Sequence, residues 1–138
     1  MALELNFEII EGDFSLAGKA TSKIKKILKQ LNVNERLIKR IVIAIYEAEV
    51  NVVAHSVGGI LTAIIGNDSI EITITDAGPG IEDIEKAMQA GFSTASKAVR
   101  EMGFGAGMGL PNIKKNTDEF KITSTVGKGT TLWFRNKY

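Results

Sequence analysis

Three polar side chains recur at every fourth position inside an otherwise apolar stretch: Glu47, Asn51 and His55. A step of four residues advances the azimuth of an α-helix by about 40°, so the three would form one continuous stripe on a helix. A carboxylate, an amide and an imidazole aligned in this way suit a metal-bridged anion with a proton acceptor beside it. The same spacing also fits the solvent-facing stripe of an amphipathic helix, so the helix alone does not decide between the two interpretations.

Clustered glycines are the second feature with chemical meaning. Gly78 and Gly80 follow a predicted strand, and five more surround a stretch without a convincing period, namely Gly91, Gly103, Gly105, Gly107 and Gly109. Glycine lets the main chain approach a ligand closely but weakens helices and strands. The second cluster therefore predicts a mobile loop or a bound group pressed against the backbone. Turns alone explain Gly127 and Gly129 well, and the five-glycine cluster poorly.

Composition excludes several kinds of site and partner. The net charge of +1 gives no indication of a nucleic-acid partner or an anionic membrane surface. The absence of cysteine excludes disulfides, a thiol nucleophile and Cys-based metal sites, and a single histidine excludes a zinc site built from several histidines. The N-terminus is polar within its first ten residues, and the longest apolar run, 41–46, is far too short to cross a bilayer. We therefore expect one cytoplasmic domain, residues 1–138, with neither nucleic acid nor membrane as a partner.

Two familiar phosphate-binding loops do not match the sequence. The Walker pattern G-x-x-x-x-G-K-[ST] fails at Gly18-Lys19, because Asp13 stands where the first glycine is needed and Ala20 follows the lysine. The dinucleotide pattern G-x-G-x-x-G fails at Gly105 and Gly107, because the third glycine is misplaced and the stretch follows a loop rather than a first strand. Neither loop therefore supplies an anion site here.

These segments must be positioned by a predicted element order β-α-α-β-β-α-(glycine-rich loop)-α-β-β. Alternating apolar and polar residues predict strands at 3–9, 60–65, 69–75, 120–125 and 130–135. Helical periods predict a helix capped by Asp13 or Ser15, a helix capped by Asn34 that carries the polar stripe, a short helix over 82–90, and one that follows Gly109. Most strand pairs are hairpins, so we predict an α+β two-layer sandwich: a mixed, mostly antiparallel sheet with helices on one face.

The first predicted helix has a basic outer face, formed by Lys19, Lys23, Lys25, Lys26 and Lys29. A solvated surface is sufficient to explain this face. A partner surface is also compatible with it, although nothing else in the sequence supports one.

Four motifs, taken together, resemble the ATP-binding boxes of the GHKL superfamily (the Bergerat fold), which groups gyrase B, Hsp90, histidine kinases and MutL. In chain order they are Glu47-x-x-x-Asn51-x-x-x-His55, Asp76-x-Gly78-x-Gly80, Gly103-x-Gly105-x-Gly107-x-Gly109 and Gly127-x-Gly129-Thr130. Within the superfamily the chain is similar to the small serine kinases of bacterial partner-switching systems, the anti-sigma-factor kinases and the switch kinases of the stress-response module. The runs Asp76-Ala-Gly-Pro-Gly-Ile and Gly91-Phe-Ser-Thr look most like the switch-kinase branch, and the resemblance covers nearly the whole chain.

The resemblance implies a role for each motif around ATP and Mg²⁺. Asn51 would be the metal ligand, since an amide oxygen suits Mg²⁺, and Glu47 would be the general base for the attacking hydroxyl. Asp76 would accept a hydrogen bond from the adenine amino group, and Thr130 would help to hold the same edge. Gly78 and Gly80 would let the backbone pass close to the purine, with Ile81 completing that nucleotide-binding motif.

The resemblance also implies that residues 91–104 form a lid over the phosphates. The phosphate contacts and hinge would come from the glycine-rich segment, namely Gly103, Gly105, Gly107, Met108, Gly109 and Leu110, because backbone N–H groups at the start of the following helix favour anions. Lys97 and Arg100 could neutralise phosphate charge, although a plain solvated loop also accounts for them. His55 matches a position beside the phosphates, and a packing role is an equal alternative.

The function implied is an ATP-dependent serine/threonine kinase that phosphorylates a small antagonist protein of the STAS type. Two alternatives stay open: a binding module whose nucleotide state controls its hold on a sigma factor or a phosphatase, and a structural domain with no ligand. A sensor histidine kinase needs a phospho-accepting histidine on a dimerisation helix, and the gyrase, Hsp90 and MutL branches carry further domains, so we expect a minimal nucleotide domain. Apolar residues on a sheet edge are compatible with a homodimer, although no specific pattern indicates one.

Overall fold

The computed structural model of the chain describes residues 2–10, 12, 17–55, 58–78, 80, 84, 88 and 109–138, with the backbone alone at 54 and 55. The described strands are β1 (Leu3–Ile9), β2 (Gly59–Ile65), β3 (Ser69–Asp76), β4 (Glu119–Thr125) and β5 (Gly129–Lys137). The described helices are α1 (Lys19–Gln30), α2 (Glu35–His55) and α3 (Gly109–Lys115). Every predicted strand is present, and its bounds differ from the prediction by at most two residues.

The five strands form one sheet in the order β1-β2-β3-β5-β4. Every pairing among them is antiparallel. The last strand inserts between β3 and β4, so that Asp76 on β3 stands opposite Thr130 on β5. The prediction of a mostly antiparallel sheet is confirmed, and this pairing places the ends of two predicted motifs side by side.

Apolar alternation explains why the described helices lie on one face of the sheet. Ile70, Ile72 and Ile74 on β3 are buried, as are Leu132 and Phe134 on β5. These side chains share one face and join a core to which α1, α2 and α3 all contribute buried residues. The intervening residues of β3, Glu71, Thr73 and Thr75, point to the other face and are half-buried or exposed. The two-layer α+β prediction is therefore confirmed.

Helix α2 is capped as predicted. The Asn34 side-chain Oδ1 accepts a hydrogen bond from the Arg36 backbone N–H at 2.9 Å, which satisfies one of the donors left free at a helix start. The buried face of the helix follows the helical period through Ile38, Ile41, Ile45, Ala48 and Val52. Glu47 and Asn51 lie beside this face and are half-buried, so they are neither core residues nor part of a fully solvated stripe.

The cap of α1 differs from the prediction. The helix begins at Lys19, and its N-cap residue is Gly18, which forms no side-chain cap. The carboxylate of Glu49 on α2, only 3% exposed, accepts from the Gly18 N–H at 3.0 Å, the Thr21 N–H at 3.2 Å and the Thr21 hydroxyl at 2.9 Å. The expectation of a cap from Asp13 or Ser15 is therefore wrong, because the acceptor comes from the neighbouring helix. Asp13 and Ser15 themselves lie outside the described residues.

Two other predictions fall largely outside the described residues. Within the predicted helix 82–90, the Met88 N–H donates to the Ile84 carbonyl at 3.0 Å, which is one helical hydrogen bond. The predicted lid, 91–104, lies outside the described ranges altogether. Along the described helices, none is both long enough and apolar enough to cross a membrane.

Candidate functional site

The predicted proton acceptor, Glu47, faces α3 from the middle of α2. It is half-buried, and this burial raises the pKa of its carboxyl group, while a hydrogen bond from the Asn112 side chain acts in the opposite direction. Burial has this effect because the charged carboxylate loses hydration, and the hydrogen bond opposes it because the carboxylate is the better acceptor. A carboxyl group of raised proton affinity beside a solvent-accessible face can act as a base.

Asn51 lies one turn further along α2 and meets the start of α3. A Cβ atom placed on Gly109 would lie 3.0 Å from Asn51 Oδ1 and 3.3 Å from Asn51 Nδ2. The absence of a side chain at Gly109 therefore leaves room for the carboxamide of Asn51. The structure brings together three of the predicted site residues, Glu47, Asn51 and Gly109, at the contact between the two helices.

Asp76 ends β3 on the face of the sheet that the helices cover, since it shares the parity of Ile72 and Ile74. Its Oδ1 accepts a hydrogen bond from the Gly78 N–H at 2.8 Å, which closes a local turn directly after the strand. Gly59 on β2 and Thr130 on β5 stand opposite Asp76 on either side. The carboxylate therefore sits in a row of small residues at the end of the sheet.

Thr130 continues this row towards β4. Its Oγ1 is 2.8 Å from the Oγ of Ser124, and Ser124 stands opposite Thr130 in the β4–β5 ladder. Asp76, Thr130 and Ser124 thus line up across three strands on the helix-covered face. Ser124 was not predicted from the sequence, because its relation to Asp76 depends on β5 inserting between β3 and β4.

Close contacts within the protein explain why glycine stands at two positions near this row, Gly80 and Gly129. Gly80 has φ +79°, and a Cβ there would lie 2.5 Å from the Thr125 carbonyl oxygen. Gly129 has φ +129°, and a Cβ there would collide with the carbonyl oxygen of Asp76. The segment after Asp76 is therefore packed tightly against the β4–β5 hairpin, which keeps the end of β3 in place.

The remaining predicted site residues divide into two groups. Leu110 is buried and packs with Ile113 in the core, and Gly78 is buried beside Asp76. The others lie outside what the structure describes, namely the side chain of His55 and all of Ile81, Lys97, Arg100, Gly103, Gly105, Gly107 and Met108. Sequence reasoning missed Asn112 as well as Ser124, because both act on residues of other elements.

The Asn51 carboxamide has the kind of donor atom that Mg²⁺ bound to a nucleotide would use. Over the described residues, no group of three or more acidic or histidine side chains converges to hold a metal ion. Asn51 offers one neutral, hard oxygen, and Mg²⁺ in nucleotide sites takes few protein ligands because phosphate and water oxygens complete its shell. The space that a Cβ at Gly109 would fill lies directly against that oxygen.

Comparison with known proteins agrees with this geometry. Residues 12–136 match the model of the histidine kinase-like ATPase domain family. An anti-sigma F factor of Thermoanaerobacter sp. (strain X514) is 37% identical over 94% of this chain and 89% of that protein. The serine/threonine-protein kinase RsbT of Bacillus subtilis (strain 168) is 40% identical, but the match covers 51% of this chain and only 50% of RsbT.

The fold has solved counterparts as well. The crystal structure of the RsbU and RsbW domains of a Mycobacterium tuberculosis protein superposes with a TM-score of 0.64 at 18% identity, covering 97% of this chain and 32% of that one. At that identity the likeness concerns the fold alone. The family match spans nearly the whole chain and includes all four motifs that suggested GHKL ATPases, so that resemblance is confirmed. The chain belongs to the family of histidine kinase-like ATPase domains.

Proposed function

We propose that this protein is an ATP-dependent serine/threonine kinase of a bacterial partner-switching system, acting on a small STAS-type antagonist protein. The observation that carries the proposal is Glu47, a half-buried carboxylate of raised pKa placed one turn before Asn51. A site that only binds nucleotide has no need of a base at this position. The similarity to a protein named serine/threonine-protein kinase supports the same assignment.

Nucleotide recognition is assigned to residues from both layers of the fold. Asp76 accepts a hydrogen bond from the adenine amino group and thereby selects against guanine, which presents a carbonyl at that position. Thr130, held by Ser124 at 2.8 Å, contributes its hydroxyl to the same edge. Asn51 would hold Mg²⁺, which neutralises phosphate charge when it is bound.

Phosphoryl transfer needs one proton acceptor, and Glu47 supplies it. The serine or threonine oxygen of the partner forms a bond to the γ-phosphorus of ATP as the bond between that phosphorus and the β,γ-bridging oxygen breaks. The hydroxyl proton passes to Glu47, and ADP leaves. Burial raises the pKa of Glu47, which brings its proton affinity closer to what a base working near neutral pH requires.

The direct test is transfer from γ-labelled ATP to the proteins encoded beside this one. Glu47→Gln keeps the size of the side chain but removes the base, so phosphorylation should fall by roughly 10²- to 10⁴-fold. Glu35→Gln, at an exposed position in the first turn of the same helix, is the matched control and should keep full transfer. Full phosphoryl transfer by Glu47→Gln would show that Glu47 is not the base.

A nucleotide-gated binding module is the second candidate, because the relative that matches 94% of the chain is named an anti-sigma F factor. In that case bound nucleotide would control how tightly the protein binds a sigma factor or a phosphatase, with little or no turnover of ATP. The two functions separate in one assay that measures ADP release and partner capture together. Phosphorylated partner with stoichiometric ADP supports the kinase, whereas nucleotide-dependent capture without ADP supports the binding module.

A further inference from the structure

A short chain of hydrogen bonds leads from the β4–β5 turn to Thr130 at the end of the sheet. The Ser124 hydroxyl donates to the Gly129 backbone carbonyl at 3.2 Å, and its oxygen is 2.8 Å from the hydroxyl oxygen of Thr130. A hydroxyl group has one hydrogen to donate and two lone pairs that accept. Because Ser124 donates its hydrogen to Gly129, Thr130 is the donor in the shorter bond. Towards any further partner the Thr130 oxygen can therefore only accept.

The carbonyl at which this chain begins is fixed by the backbone around it. The Lys128 N–H donates to the Thr125 carbonyl at 2.9 Å, which closes the turn directly before Gly129. Gly129 is packed against the end of β3, because a Cβ there would collide with the carbonyl oxygen of Asp76. The acceptor of the Ser124 hydroxyl is thus held both by the turn and by the neighbouring strand.

Thr130 and Asp76 place two acceptors side by side. The two residues stand directly opposite each other in the β3–β5 ladder and belong to the same face of the sheet. In such a pair the Cβ atoms are about 4.5–5.5 Å apart. Asp76 Oδ1 already accepts from the Gly78 N–H at 2.8 Å, and the second oxygen of a carboxylate is an acceptor as well. Neither side chain therefore offers a donor to a ligand at this edge.

An exocyclic amino group has the hydrogens that this pair requires. It carries two, and when both form N–H···O bonds of about 2.9 Å their acceptors lie about 5 Å apart. That distance matches the spacing of neighbouring strands in a sheet. A carbonyl group in the same place would face two acceptors, and a group with a single hydrogen would satisfy only one of them.

We infer that Ser124 is a positioning residue, which takes the hydroxyl hydrogen of Thr130 and thereby makes the site select a base with an exocyclic amino group. The inference rests on the proposed function, in which Asp76 and Thr130 hold the edge of the purine. It adds a residue outside the motifs recognised in the sequence. It also assigns the two hydrogens of the adenine amino group to two different strands.

The first test uses the protein without nucleotide. Ser124→Val and Ser124→Thr introduce side chains of the same shape, both suited to a strand, and only the threonine keeps the hydroxyl. Three-bond NMR couplings from the Thr130 methyl carbon to the backbone report the χ1 rotamer of Thr130. We expect one rotamer in the wild type and in Ser124→Thr, and a mixture of rotamers in Ser124→Val.

The second test compares Mg-ATP with the magnesium complex of purine riboside triphosphate, which has a hydrogen atom in place of the 6-amino group. In isothermal titration, Ser124→Val should weaken the binding of ATP by roughly 2- to 10-fold, the effect of one hydrogen bond, and leave that of the analogue unchanged. Ser124→Thr should bind both as the wild type does. The control Thr123→Val, which removes an exposed hydroxyl from the other face of β4, should also leave both affinities unchanged.

A double variant shows whether Ser124 acts through Thr130. Ser124→Val combined with Thr130→Val should bind ATP no more weakly than Thr130→Val alone, because the hydroxyl that Ser124 orients is then absent. Additive losses, an equal loss for both nucleotides, or an unchanged Thr130 rotamer in Ser124→Val overturns the inference. If neither nucleotide binds to the wild type, the proposed function and this inference fail together. If ATP binds but Glu47→Gln transfers phosphate fully, only the proposed base is wrong, and the comparison of the two nucleotides still decides the role of Ser124.

Discussion

At the scale of single residues, the half-buried state of Glu47 links its chemistry to the stability of the protein. Burial raises the pKa of its carboxyl group above the value it has in the unfolded chain. Between those two values the native state holds more protons than the unfolded state, so the free energy of unfolding falls as pH rises through that window. The ionised Glu47 carboxylate therefore lowers the stability of the fold at neutral pH, as is common for functional groups.

Glu47→Gln should accordingly be more stable than the wild type at pH 7, by about 0.5–2 kcal/mol, the range of a typical stabilising substitution. The gain should shrink as pH falls below the raised pKa, because the wild-type side chain is then neutral as well. Urea unfolding of both proteins at pH 7 and at pH 4 measures the difference. A gain that stays constant with pH would show that ionisation of Glu47 has no part in it.

Gly109 provides a second prediction at this scale. In Gly109→Ala the new methyl group would lie 3.0 Å from Asn51 Oδ1, so the carboxamide must shift by a few tenths of an ångström. Mg-ATP affinity should fall by roughly tenfold, while the free energy of unfolding changes by no more than about 1 kcal/mol, because alanine favours a helix. Isothermal titration and urea unfolding separate the two quantities.

Gly66→Ala is the matched control for Gly109→Ala. A Cβ there would meet only the Ser69 carbonyl oxygen, at an ordinary contact distance of 3.4 Å. This variant should bind Mg-ATP as the wild type does. Equal affinity in Gly109→Ala and Gly66→Ala would mean that the position of the Asn51 amide does not matter for binding.

At the scale of elements, the start of α1 depends on a carboxylate from α2. Glu49→Ala would leave the Gly18 and Thr21 N–H groups and the Thr21 hydroxyl without their acceptor in a buried place. We expect a loss of about 2–4 kcal/mol, which combines the loss of a helix cap with that of hydrogen bonds to a charged group. Glu8→Ala, at an exposed position on β1, should change stability by less than about 0.5 kcal/mol.

Hydrogen exchange would locate the effect of Glu49→Ala. Faster exchange should appear first in the amides of α1, while β3 and β5 keep their protection because they form the centre of the sheet. Uniform loss of protection across the chain would instead mean that Glu49 supports the whole fold and not this helix in particular.

The elements also show where sequence reasoning succeeds. The strands were predictable because alternation places Ile70, Ile72 and Ile74 on one face, and the start of α2 because Asn34 is a local cap. The cap of α1 was not predictable, because its acceptor is 28 residues or more away in the chain. Asn112 and Ser124 were missed for the same reason, since their partners are fixed by packing and by the insertion of β5.

At the scale of the whole molecule, charge is distributed unevenly. Helix α1 carries five lysines and no acidic residue, which leaves 12 basic and 16 acidic residues elsewhere in the chain. All five lysines are exposed, and none of them forms an ion pair with another described residue. Arg40 on α2 forms an ion pair with Asp118, just before β4, at 3.2 Å, and because both side chains are partly exposed the pair stabilises by no more than about 1 kcal/mol.

The two layers meet in the proposed nucleotide site, because Asn51 belongs to a helix and Asp76 with Thr130 to the sheet. Nucleotide binding should therefore stabilise the entire fold. At a hundredfold excess of Mg-ATP over its dissociation constant, linkage adds about 2.7 kcal/mol. For a chain of this size that corresponds to a rise in Tm of roughly 8–10 °C. No rise with Mg-ATP would exclude the nucleotide site itself.

In the proposed site, Asp76 would determine how that stabilisation depends on the purine of the nucleotide. In Asp76→Asn, Oδ1 can still accept from the Gly78 N–H, as Asp76 does at 2.8 Å, and the amide N–H₂ replaces the other carboxylate oxygen. A donor at that place repels the adenine amino group and suits the guanine carbonyl, so the ATP-induced rise in Tm should drop while that with GTP grows. Thermal unfolding with each nucleotide measures the change. The control is Glu4→Gln, at an exposed site on β1. If ATP and GTP raise the Tm of the wild type equally, Asp76 does not distinguish adenine from guanine, whatever else the site binds.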